Sequence, residues 1–161
     1  MPDPGRFINI SGKLPQHTLT FVGGGSIIVA GLGLWFNYST LVLADSFPLG
    51  QMIKEHDLKN FYPIFYTMSA ICIAFYVILL ACGVQLIRKK SGWGFVLLTV
   101  VVLELLYFTL VGWLWAYSPY RFSIGAATGI SSGGLMYQAY VVFPIWAPLL
   151  SLWARRRMIR P

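Results

Sequence analysis

Charge is what this sequence lacks most. Asp, Glu, Lys and Arg make up 11% of its 161 residues, against about a quarter in an ordinary soluble domain. Acids are scarcest, with five Asp and Glu against twelve Lys and Arg, and there are only two histidines and two cysteines. Nucleophilic catalysis needs a base beside Ser, Thr or Cys, oriented by a third group. The string GISSG at 129–133 matches GxSxG, but no HExxH or CxxC spacing occurs in the chain, and two histidines and five acids leave little to activate a nucleophile, so the sequence reads as non-catalytic. Cys72 and Cys82 share one apolar run. Their separation is ~15 Å along a helix, too far for a disulfide, and they read as small packing residues. His17 and His56 fall on opposite sides of the membrane in the topology derived below, so one metal or a haem held by both within one chain is excluded. His56 has Glu55 and Asp57 beside it and Asp45 at the start of the same loop, but in no recognised ligand spacing. That group reads as a solvated loop, and no cofactor or metal is expected.

What is present is apolar: 57% of the residues are hydrophobic and 16% aromatic. Four runs reach the roughly 20 residues that span a bilayer, at about 19–44, 62–87, 93–117 and 135–153. None alternates polar and apolar residues as a membrane barrel requires, so their backbones must be satisfied within helices. The first run is too long for a signal-peptide core and ends in Asp45 and Pro48 rather than a small-residue cleavage pattern, so it is read as a retained span. The expected architecture is an all-α integral membrane protein, a four-helix up-down bundle. Residues 1–18, with three prolines and two glycines, are expected to lie along the cytoplasmic surface, residues 19–154 to form the membrane domain, and 155–161 a basic tail.

Nine of the twelve basic residues gather on one side: Arg6, Lys13, Arg88, Lys89, Lys90, Arg155, Arg156, Arg157 and Arg160. The positive-inside rule then places both termini in the cytoplasm of a bacterial-type inner membrane. Such a tail meets anionic lipid headgroups rather than nucleic acid. In the first outer loop Ser46 is a cap, Pro48 suits a first turn, and Leu49, Met52, Ile53 and Phe61 recur at helical spacing, which predicts a short interfacial helix. Aromatic residues from Phe61 to Tyr66 and from Trp113 to Tyr120 form the outer belt, and Trp93 and Trp153 the inner one. No internal repeat is visible, and the inverted symmetry of many transporters is missing.

The first span carries GGGSIIVAGLGLW, in which Gly24, Ser26, Ala30 and Gly31 are expected to form a helix-packing face. Glu104 is the one acid or base inside any span. It lies near the midplane, where a carboxyl must face the bundle interior. Counting along antiparallel helices sets it level with Gly31, Tyr76 and Tyr140 or Phe143, so Glu104, Tyr76 and Tyr140 are the expected intramembrane polar cluster. Pro144 and Pro148 predict a kink in the fourth span. The stretch SIGAATGISSGG, residues 123–134, has no acid to coordinate an ion and is expected to be a packed cap or helical extension rather than a substrate loop. Little polar chemistry, several small-residue faces and aromatic surface to spare point to an accessory or assembly subunit of a membrane complex, or a homo-oligomer. The alternatives are a small transporter or channel using Glu104 with the kinked fourth span, and a lipid- or quinone-binding protein using the outer aromatics and His56.

Overall fold

Three of the four apolar runs become long helices. The computed structural model describes residues 10–43, 49–56, 58–131 and 146–159, and among these the regular structure is entirely helical. α1 spans Ile10–Leu43, α2 Leu49–Glu55, α3 Phe61–Ile87, α4 Trp93–Tyr117, α5 Arg121–Ser131 and α6 Trp146–Ile159. Among the described residues three segments are long and apolar enough to cross a membrane: Gln16–Leu43, Phe61–Ile87 and Trp93–Tyr117. The fourth run expected at 135–153 is described only from residue 146, and α6 carries on through Arg157 to Ile159. The basic tail therefore begins as helix, with the Arg155 guanidinium 4.8 Å from the Phe95 ring centroid and that of Arg157 5.7 Å from Trp153.

One further boundary differs from expectation. α1 begins at Ile10, not near residue 19, so Pro15 sits in its second turn. One missing N–H so close to a helix start forfeits a single bond, which the continuous helix behind it outweighs. Pro148 is the third described residue of α6. Pro144, Ser46, Pro48 and Tyr140 lie outside the described residues.

The turn between α3 and α4 is closed by a Schellman motif. Lys89 takes the left-handed conformation at φ 61, its N–H donates to the Leu86 carbonyl at 2.9 Å, and the Lys90 N–H donates to that of Gln85 at 3.0 Å. These bonds satisfy carbonyls that the helix end would leave bare. At the far end of α4, Ser118 precedes a proline and is extended, φ −77 and ψ 146, as proline's ring demands of its neighbour. Its hydroxyl accepts from the Tyr120 N–H at 3.1 Å. Ser118 thus closes the turn at Pro119 and Tyr120 that leads into α5 at Arg121.

The core falls into two apolar clusters stacked along the helix axes. Near the α3–α4 turn, Leu19, Val22, Leu79, Cys82, Leu86, Leu97 and Val101 pack with Ala147 and Ala154 of α6. Near the opposite end, Phe61, Phe65, Met68 and Val111 pack with Ile53 of α2 and Ile124 and Ala127 of α5. The short helix expected in the loop before α3 is α2. Residues 123–131 of the small-residue stretch are α5, laid against α3 and α4. Ser123 donates to the Lys59 carbonyl at 2.7 Å and Thr128 approaches the Met68 sulfur at 3.8 Å, so α5 runs in the same direction as α3.

Candidate functional site: a buried polar layer around Glu104

Glycine brings α1 and α3 together at two places. A Cβ on Gly23 would stand 2.7 Å from the Gly83 carbonyl oxygen, and one on Gly83 would stand 2.7 Å from that of Gly23. Backbones therefore touch, with room for Cα–H···O contacts. Further along, a Cβ on Gly33 would overlap the Tyr76 ring. The packing face of α1 runs through Leu19, Val22, Gly23, Ser26, Ala30, Gly33 and Asn37, all buried at helical spacing. Ser26 and Ala30 belong to that face. Gly24 and Gly31 do not, since a Cβ on either would meet nothing within 4 Å. The small-residue contacts fall instead at Gly23 and Gly33, positions selected by the rotation of α1 against α3.

The Gly33 notch admits Tyr76 to the bundle centre, where it is fully buried, as is Glu104. Tyr76 on α3 and Glu104 on α4 are each ~16 Å along their helices from the turn that joins them. Glu104 is close enough to Cys72 and Tyr76 to act on both electrostatically. One turn further from the hairpin, the Tyr107 hydroxyl lies against the Cys72 thiol, and the Tyr107 and Phe75 rings meet at 6.0 Å. Asn37 stands one turn beyond Gly33 on α1 and Ser69 one turn beyond Cys72 on α3; both are 1% exposed. Asn37 Nδ2 donates to the Gly33 carbonyl at 2.9 Å. Among the described residues, Asn37 Oδ1, Ser69 Oγ, Tyr76 Oη and Tyr107 Oη are buried with no hydrogen-bond partner. The layer sits where the two apolar clusters meet.

Glu104 and Tyr76 are thus brought to one level, but the Tyr76 hydroxyl makes no hydrogen bond, and Tyr140 lies outside the described residues. Asn37, Ser69 and Tyr107 were not singled out by the sequence. The step from Tyr76 to Cys72 to Ser69 along α3, read with that from Glu104 to Tyr107 on α4, is the helical spacing that marks them. His56 lines a separate cleft of about 320 Å³ with Leu58, Lys59, Pro119, Tyr120, Phe122 and Ser123. Among the described residues no three His, Cys, Asp or Glu side chains gather to hold a metal.

The fold and this layer define a helical membrane protein. Comparison of the chain with protein-family models, curated proteins and solved structures finds no match.

Proposed function

We propose that this chain is a non-catalytic integral membrane protein with four crossings and cytoplasmic termini, working as a subunit that joins laterally to its own copies or to other membrane proteins. The fourth crossing in this reading is α5 followed by α6. Contacts with Lys59 and Met68 set α5 beside one end of the bundle, and contacts with Gly94 and Phe95 set α6 beside the other. The observation that carries assembly is the outward face of α1. Gly24 and Gly31 have open space where a side chain would be, while Phe21, Ile28, Leu32 and Trp35 around them are 64–70% exposed. In lipid, glycine is useful on a helix surface where another backbone approaches, and no helix among the described residues fills that groove. Native mass spectrometry in mild detergent tests the reading. Oligomers or a stoichiometric partner are expected, and Gly31→Phe should dissolve them; a strict monomer with nothing co-purifying overturns it.

A transporter or channel reading is favoured by one separate observation, the unpaired polar atoms around Glu104. The cleft at His56 and Lys59, with Tyr120 and Phe122 in its wall, supports a lipid or quinone headgroup site in the same manner. Anionic lipid at the Arg155–Arg157 helix end is proposed on charge alone.

A further inference from the structure

At the end of the bundle away from the hairpin, the turn before α3 and the start of α5 border the cleft of about 320 Å³. Its two sides are tied together, because the Ser123 hydroxyl on α5 donates to the Lys59 carbonyl at 2.7 Å. The fold itself therefore holds the cleft in shape. His56 and Lys59 line one side, Tyr120 and Phe122 the other. The Arg121 guanidinium rests 4.9 Å from the Phe122 ring centroid, which keeps a second cation on that side. Among the described residues no carboxylate lines the cleft or pairs with Lys59, and Glu55 on α2 accepts instead from Gln51 Nε2 at 2.6 Å. Backbone donors add to the charge. The Arg121 N–H donates to the Ser118 carbonyl and the Ile124 N–H to that of Tyr120. Those of Phe122 and Ser123, both residues of the wall, make no backbone hydrogen bond, as is usual in the first turn of a helix.

The chemistry of an occupant follows from that wall. A divalent metal meets an ammonium there instead of the carboxylates it needs. A quinone is neutral and leaves the Lys59 charge uncompensated. A phosphate accepts from the Lys59 ammonium and from backbone N–H groups together. Whatever it is attached to can lie along Tyr120 and Phe122, which are 42% and 68% exposed. Water occupies about 30 Å³ per molecule in the liquid, so a cleft of 320 Å³ holds roughly ten non-hydrogen atoms, the size of a glycerol phosphate. We propose that this cleft binds a phosphate ester of that size, with Lys59 as its charged ligand. The ester is the headgroup of a glycerophospholipid or a soluble glycerol phosphate. The lipid source rests on the headgroup reading of this cleft given above, whereas the phosphate chemistry rests on the cleft alone.

A short-chain phosphatidylglycerol with a photoactivatable headgroup, added to the intact protein in mild detergent, tests the site, with attachment mapped by mass spectrometry. Adducts are expected on the peptides that hold Lys59 and Tyr120–Phe122. Lys59→Gln should lower them several-fold, and Lys59→Arg should keep them. Lys54→Gln, which removes a cation of α2 outside the cleft, should leave them unchanged. Displacement of the probe by excess glycerol phosphate supports the site and identifies a soluble ester; displacement only by unlabelled phosphatidylglycerol supports it and identifies a lipid. Displacement by a short-chain quinone but by neither phosphate compound overturns the proposal while keeping a headgroup site. Adducts at full level in Lys59→Gln overturn it as well. Absence of adducts from both peptides removes the proposal and the headgroup reading together.

Discussion

At Gly33 the absence of one methyl group makes room for a tyrosine ring. A Cβ there overlaps Tyr76, and overpacking of a tight core costs about 1–3 kcal/mol. Gly33→Ala should therefore lower the thermal midpoint in detergent, and Tyr76→Leu in the same chain should recover part of the loss. In the separated protomer Gly31→Ala has open space around it and gains up to about 1 kcal/mol of helix propensity, so there the two glycines should respond in opposite directions. Lys89 holds a left-handed backbone at the hairpin, a conformation costing a side-chain-bearing residue about 1–2 kcal/mol. Lys89→Gly should raise the midpoint; a fall would assign the lysine side chain a role in closing the turn. Glu104→Gln retains shape and both donor and acceptor capacity, so it should cost about 1 kcal/mol or less, whereas Glu104→Leu loosens the bundle. With apolar clusters on both sides of Glu104, liposomes carrying the protein should pass protons no faster than empty ones. Pronounced flux that disappears in Glu104→Gln would favour the transporter reading.

Elements were legible where periodicity or punctuation is strong. The long apolar runs specify α3 and α4 almost to the residue, and the spacing of Leu49, Met52 and Ile53 marks α2, while Phe61, counted with them, opens α3. α5 was harder, because alanine, glycine and serine carry little periodic signal. Its punctuation is in the sequence nonetheless: Ser118 followed by Pro119 marks the turn that opens just before it. Register between helices is another matter. Which side of α1 meets α3 is decided by three-dimensional fit, so counting along the chain put Gly31 rather than Gly33 at the level of Tyr76, and missed Asn37, Ser69 and Tyr107. The docking of α5 can be probed directly. Ser123 donates across to the Lys59 carbonyl, and removing a buried hydrogen bond costs roughly 0.5–1.5 kcal/mol. Ser123→Ala should lower stability by that amount and speed amide exchange in α5 while leaving α4 near the hairpin unchanged. Equal loosening at both ends of the bundle would mean that α5 is not a separately docked unit.

Over the whole molecule the question is how the chain returns. α5 accompanies α3 from Lys59 to Met68, and α6 packs where α4 begins, with the Ser151 hydroxyl 2.5 Å from where a Gly94 Cβ would stand. Residues 121 and 159 consequently lie at opposite ends of the long helices. In the proposed reading the segment from α5 to α6 is the fourth crossing. The charges agree: Lys89 and Lys90 in the hairpin and Arg155–Arg157 on α6 share one end, and none of them can rest in hydrocarbon without a cost of several kcal/mol. Lys59 and Arg121 share the other end. Single cysteines at Lys59, Lys89, Tyr120 and Arg156, in a chain whose own two thiols are buried, can be labelled with an impermeant reagent in oriented membranes. Lys59→Cys and Tyr120→Cys should react from the outside, and Lys89→Cys and Arg156→Cys only after the membrane is opened. Labelling of Tyr120→Cys and Arg156→Cys from the same side would remove the fourth crossing. Outside labelling of Lys89→Cys would invert the proposed orientation, which rests on the basic hairpin and the positive-inside rule.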